Sequence, residues 1–283
     1  MPVENKEANV RQTYLALRVA IVLLVGLLFL TILAQLVFVS LNCWQTSISA
    51  YYFTSVRPVF VGSLCAVGAC LIIYRGNNDY ENTALDYSGF MAFIVAFVPT
   101  GRDTACPPTN GPDEQEIAVA VGTNVGALLA IGVIATVITL AVPALRQDRR
   151  SPSKLYSLAS VFVTLALLIV GIVMYVWQRP FFLKYGHLGA AVALFVGIVL
   201  VVVLNAVFAA KPYKHWYFGV AIAMVLVLVL GLALILSDVR HWALWLEALL
   251  IAMFAAFWIV QTVELGTEVN RAEAGTSDPG HGA

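Results

Sequence analysis

Glu247 lies in the run WALWLEALLIAMFAAFWIV, five residues past Trp242 and otherwise apolar on both sides. At 1.5 Å per residue it stands roughly 7 to 8 Å into a helix that starts at Trp242. An ionisable group at such a depth is costly unless it faces a bundle interior and meets a partner. Its own helical neighbours at three and four residues are Ala243, Leu244, Leu250 and Ile251, so the partner must come from another segment. The candidates are Arg57, Arg179, Lys184, His187, Arg240 and His241. Arg57 is the expected one, because a guanidinium can hold a carboxylate through two parallel hydrogen bonds. An inter-helix staple with no further role is the competing reading.

The second chemical feature is the hydroxyl-rich segment WQTSISAYYFTSVRP, residues 44–58. Read as an α-helix it stacks Ser47, Tyr51 and Ser55 at i, i+4 and i+8 into a polar stripe. The alternative is an interfacial helix whose hydroxyls are solvated.

These residues need elements to hold them, and composition restricts which elements are available. Of 283 residues 61% are hydrophobic and 11% charged, with a mean hydropathy of +0.88. A soluble domain carries about 25% charged residues, so this chain cannot face water on all sides. Equal numbers of basic and acidic residues, 16 each, leave no basic field for nucleic acid. A helix needs about 20 mostly apolar residues to cross the hydrocarbon, and eight such runs are expected: Leu17 to Leu41, Arg57 to Tyr74, Thr83 to Pro99, Ile117 to Leu145, Leu155 to Trp177, His187 to Ala210, Trp216 to Leu236 and Trp242 to Val263. No period-two alternation supports a barrel. The fold expected is therefore all-α, a polytopic transmembrane bundle. Residues 1–16 form a polar cytoplasmic segment, 17–264 the membrane domain, and 265–283 a Gly-rich tail too polar to fold alone. The first apolar run is too long for a signal peptide and no small-residue cleavage site follows it, so it is expected to stay as an anchor.

Basic residues orient such a bundle. With the N-terminus inside, the outer face holds Arg57, Arg102, Arg179, Lys184 and Arg240, and the other 11 of the 16 lie inside. A third segment that only dipped into the membrane would even the split to 8 and 8. The expected topology is eight spans with both termini cytoplasmic. In that frame Gln35 and Asn124 join the outer polar groups, while Asn205, Gln261 and Glu264 fall inside. The bias points to an extracytoplasmic cavity lined by Ser47, Ser49, Tyr51, Arg57, Asn124 and Glu247.

Other features bear on shape more than on chemistry. Cys43 and Cys106 share the outer face and are candidates for a disulfide in an oxidising compartment, against two unpaired thiols. Cys65 and Cys70 read as packing residues. Gly122 and Gly126 form a GxxxG pair that suits close helix packing, within the chain or in a homo-oligomer. The loop RGNNDYENTALD, residues 75–86, lacks the glycine and distal Glu of a calcium loop and reads as solvated. Asp113, Glu114 and Glu116 suit the N-terminus of the fourth span. There is no Walker loop, GxSxG, HExxH or CxxC motif, and neither cofactor nor metal is expected.

Two stretches, SISAYYFTSVRPVFVGSLCAVGACLIIYRG (47–76) and EALLIAMFAAFWIVQTVE (247–264), together resemble an uncharacterised family of bacterial integral membrane proteins. In that family a Ser-x-Ser-x-Tyr-Tyr entry, an Arg and a Phe-Val-Gly-x-Leu run open the second span, and the last span begins near a Glu and ends in an aromatic-Trp motif. The resemblance covers about 50 residues. It implies a multi-pass protein of the bacterial inner membrane and points to Ser47, Ser49, Tyr51, Tyr52, Arg57, Glu247 and Trp258. The chain is more distantly similar to the membrane hydrolases that include alkaline ceramidases and adiponectin receptors, where three His hold zinc. It departs from them, because His187 and His241 fall outside and His215 inside, so three could not meet one ion. Two histidines with Asp238 or Glu247 remain as a metal alternative.

The leading expectation for function is binding or transport of a lipid or small amphiphile, with Arg57 recognising an anionic headgroup or pairing with Glu247. The alternatives are an outer-leaflet hydrolase using Glu247 as base or metal ligand, and a non-catalytic membrane scaffold.

Overall fold

A computed structural model describes residues 2–39, 44–101, 113–141, 154–208, 213–234 and 241–276. Among them all regular structure is helical: α1 (Pro2–Phe38), a 3-10 turn (Ser49–Phe53), α2 (Arg57–Ile73), α3 (Asp79–Phe97), α4 (Glu114–Ala141), α5 (Lys154–Trp177), α6 (Arg179–Phe208), α7 (Tyr213–Leu234) and α8 (Trp242–Thr276). Among the described residues five segments are long and apolar enough to cross a membrane: Asn9–Phe38, Glu114–Ile138, Arg179–Phe208, Tyr213–Gly231 and Trp242–Glu264. Their outward faces are apolar, with Leu23, Leu30 and Leu226 each more than 60% exposed. Large exposed apolar faces of that kind mark contact with a membrane or with other protein rather than with water. The chain is thus an all-helical protein with the build of a multi-pass membrane protein.

Six helices form a closed ring in the order α1, α2, α3, α6, α7, α8, with α8 returning to α1. α4 and α5 pack on each other outside the ring, α4 against α3 and α5 against α6. Glycines set two of the ring's seams. A Cβ on Gly68 of α2 would stand 2.7 Å from the Gly89 carbonyl oxygen of α3, and one on Gly89 would stand 2.6 Å from that of Gly68. The two backbones touch, which only glycine permits on both sides. A Cβ on Gly197 of α6 would fall 2.2 Å from Ser88 Oγ of α3.

Several elements differ from the sequence expectation. α1 begins at Pro2 and α8 runs to Thr276, so the polar termini extend existing helices. Adding a residue to a formed helix requires no new nucleus, and the Glu, Lys, Ala and Arg of these ends are good helix formers. α6 starts at Arg179 rather than His187, because Pro180 suits a first helical turn, where its missing N–H is not needed. His187 consequently lies two turns inside the helix. Gly122 and Gly126 face their own chain: Tyr175 Oη donates to the Gly122 carbonyl at 2.5 Å, and Arg179 donates to the Ala118 carbonyl at 3.1 Å. This seam ties α4 to the α5–α6 corner. The acidic start of α4 is a reciprocal cap, with Glu116 N–H on Asp113 Oδ1 at 2.7 Å and Asp113 N–H on Glu116 Oε2 at 3.2 Å.

Candidate functional site

The hydroxyl-rich segment is not one α-helix. Ser49–Phe53 takes the tighter 3-10 form with three residues per turn, and α2 starts separately at Arg57 with Pro58 in its first turn, which no upstream α-helix can run through. Ser47, Tyr51 and Ser55 therefore do not share a stripe. Ser47 Oγ turns back to accept from Ala50 N–H at 3.0 Å, Tyr51 is buried, and the exposed Ser55 bonds Gln35 on α1. The segment is fastened to the start of α8, where Leu244 N–H donates to the Thr46 carbonyl at 3.0 Å and His241 Nδ1 to that of Gln45 at 3.2 Å. Thr54 Oγ1 closes the turn by donating to the Tyr51 carbonyl at 2.8 Å. All five residues of the 3-10 turn are buried.

This fold-back carries Ser49 to Glu247. Ser49 N–H donates to Glu247 Oε2 at 2.9 Å, and Ser49 Oγ lies 3.2 Å from the same oxygen. On its other side Ser49 Oγ lies 2.8 Å from His187 Nε2, and His187 Nδ1 lies 2.6 Å from the Val98 carbonyl oxygen at the end of α3. Ser49 and His187 are both buried. Four elements thus meet at one point: the 3-10 turn, the end of α3, α6 and α8.

Hydrogen-bond roles follow from donor and acceptor identities. A carbonyl only accepts, so Nδ1 of His187 carries a proton and, in the neutral ring, Nε2 accepts from the Ser49 hydroxyl. That hydroxyl has one proton, so the 3.2 Å contact to Glu247 Oε2 is a hydrogen bond when the carboxyl is protonated and donates. Moving one proton along the line gives an imidazolium, a serine that donates to glutamate, and a carboxylate. Ser49 therefore bridges an acid and a base, and the trio can hold a proton at either end.

Ser49 and Glu247 border a cavity of about 80 Å³ inside the ring. A single water needs about 10 to 15 Å³ by a comparable measure, so the space suits a short length of chain. Its walls are apolar, with Leu28, Phe60, Val67, Val95, Leu194 and Phe254 among them, and its polar lining is Ser49, Ser63 and Glu247. Among the described residues no basic side chain lines it. Ser63 Oγ has no hydrogen-bond partner among the described residues, although Ser63 is only 5% exposed.

Of the residues expected at the site, Ser49 and Glu247 converge, and Ser47 and Tyr51 belong to the turn that supports them. Arg57 does not pair with Glu247. It donates to Tyr52 Oη at 3.0 Å and lies over the Tyr52 ring at 4.5 Å, because the short turn keeps it next to Tyr52. Asn124 is exposed on α4, outside the ring. Cys43, Cys106 and Asp238 lie outside the described residues, while Cys65 and Cys70 are free thiols, half-buried on α2. Among the described residues no three His, Cys, Asp or Glu side chains converge as a metal site. His187 stood among the candidate partners of Glu247. Sequence reasoning passed over its role because the expected start of α6 left it at the membrane boundary.

A second polar centre lies at the opposite end of the ring. Glu81, 1% exposed, accepts from the Asn205 side-chain amide at 2.8 Å through Oε1 and from Asn77 N–H at 2.8 Å through Oε2. Gln261 Nε2 donates to Asn205 Oδ1 at 2.8 Å, and Arg18 and Tyr74 join through Gln261. The loop expected to be solvated thus buries its glutamate, and intramembrane polarity is not confined to one end. The local signal was present as Asn78 three residues before Glu81: the Asn78 side chain caps α3 by accepting from Glu81 N–H at 2.9 Å. Every polar atom named in this centre has a partner, and the network joins α1, α3, α6 and α8.

Compared with models of protein families, with curated proteins and with solved structures, the chain matches none. The functional reading rests on the geometry of the Ser49 site.

Proposed function

We propose that this chain is an eight-span protein of the bacterial inner membrane, with both termini cytoplasmic, that binds or transports a lipid or small amphiphile in the cavity inside its helical ring. The observation that carries the reading is an apolar cavity whose polar lining is confined to Ser49, Glu247 and Ser63, with the Ser63 hydroxyl unpartnered among the described residues. Ligand sites combine a largely apolar wall with a few polar groups that orient the ligand, and an amphiphile is the solute with that division. Arg57 stands off the cavity and, among the described residues, no basic side chain lines it, so the reading takes an uncharged head group, offering hydroxyl, ester or amide functions to the serines and the carboxyl. This revises the anionic head group expected from Arg57.

The test is native mass spectrometry of protein purified in mild detergent. A bound amphiphile in the wild type, lost at least tenfold in Leu64→Trp, which fills the cavity wall, and kept in Leu226→Trp on the lipid-facing surface, supports the reading. Equal occupancy in all three, or none in the wild type, overturns it.

A further inference from the structure

We propose that Ser49 is a nucleophile activated by His187, and that the cavity holds the acyl chain of an uncharged lipid ester which this pair cleaves or transfers. The inference rests on the reading of the cavity as an amphiphile site and adds a covalent step to it.

Ser49 Oγ and His187 Nε2 are 2.8 Å apart, within the 2.6 to 3.2 Å that a nucleophile and its general base require. The third member of such a constellation fixes the imidazole. Here the Val98 carbonyl does so at 2.6 Å, and it imposes the tautomer that leaves Nε2 free to take a proton. Position supports the same assignment. Ser49 lines the cavity and His187 does not, so the hydroxyl stands between the base and the space where a substrate would lie. The 3-10 turn is tied to α8 at Thr46 and closed on itself at Thr54, which holds the hydroxyl still. A buried serine that needed only a partner would be satisfied by one bond, whereas this one meets a base and an acid together.

The step balances without an added oxidant or reductant. The Ser49 hydroxyl proton passes to His187 Nε2 as Oγ bonds to the ester carbonyl carbon. The tetrahedral oxyanion collapses, the bond from carbon to the alcohol oxygen breaks, and the alcohol leaves with the proton from Nε2. Water, or a second alcohol, then gives its proton to Nε2 and attacks the acyl-serine, and Oγ leaves with that proton. A protonated Glu247 and the unpartnered Ser63 hydroxyl are the cavity's available donors to the oxyanion.

The experiment uses the full chain in nanodiscs and a medium-chain alkyl fluorophosphonate, with the adduct located by peptide mass spectrometry. One adduct on Ser49, absent in Ser49→Ala and formed at least tenfold more slowly in His187→Gln, is expected. Brief exposure of the wild type to a medium-chain p-nitrophenyl ester, followed by acid quenching, is expected to leave an acyl group on Ser49 and requires no variant to fold. An unmodified Ser49 in protein that retains its amphiphile overturns the nucleophile while sparing the binding reading. An equal labelling rate in a folded His187→Gln overturns the base. A Ser49 adduct in protein that carries no amphiphile supports the nucleophile and sinks the binding reading.

Discussion

Glu247 meets a backbone amide and a hydroxyl of the same serine, and this determines how substitutions should behave. Glu247→Gln keeps an oxygen for Ser49 N–H and is expected to retain the wild-type melting temperature while weakening amphiphile occupancy. Glu247→Leu leaves that N–H buried and unpaired, a cost of about 1 to 3 kcal/mol, and is expected to lower the melting temperature clearly. Thermal unfolding in detergent, read beside bound ligand, separates the two. At the other end of the ring Glu81 uses both of its oxygens as acceptors, from Asn205 and from Asn77 N–H. A glutamine there must turn a donor toward one of these donors, so Glu81→Gln is expected to destabilise by about 1 to 3 kcal/mol despite its near-identical shape. An unchanged melting temperature would contradict the buried network. The two glutamates differ in legibility for a physical reason. Glu247 interrupts an apolar run, whereas Glu81 sits among polar residues and is buried only because α6 and α8 bring Asn205 and Gln261 over it.

Among the elements, the helices themselves were legible from apolar runs, and the 3-10 turn was not. Ser47, Tyr51 and Ser55 fit a helical stripe on spacing alone, but Pro58 starts α2 afresh and the Leu244 N–H captures the Thr46 carbonyl. The α2–α3 seam is likewise a matter of contact: Gly68 and Gly89 read as ordinary small residues until their backbones are seen to touch. Replacing Gly68 by leucine forces α2 off α3, since even a Cβ would approach the Gly89 carbonyl to 2.7 Å. Overpacking of this kind costs about 1 to 3 kcal/mol or more, and Gly68→Leu is expected to lower folded yield. Gly219→Leu, on α7 with open space where its Cβ would lie, should leave the yield near wild type. Size-exclusion profiles of the two variants check this.

For the whole molecule, the ring of α1, α2, α3, α6, α7 and α8 places the Ser49 site and the Glu81 centre at opposite ends. In the proposed topology, which rests on the charge bias of the sequence, the Ser49 end faces outside. With the four native cysteines replaced, Glu114→Cys on the Ser49 side is expected to react with an impermeant maleimide in intact cells. Tyr80→Cys on the Glu81 side should react only after the membrane is opened. The reverse pattern would turn the protein over and place the site on the cytoplasmic side.

The amino-acid sequence by itself determined the helical content and the membrane-spanning character of the chain, and it singled out Ser49 and Glu247 as candidates. Apolar runs and isolated polar residues are local properties, and the bilayer's demand for satisfied backbone groups leaves helices as their one outlet here. Only the tertiary structure decided that Glu247 meets Ser49 rather than Arg57, that His187 completes the site, and that a cavity adjoins it. Those facts depend on which helices are neighbours and how far each is shifted along its axis. Pairing across 138 residues, as between Ser49 and His187, leaves no trace in the spacing of either segment.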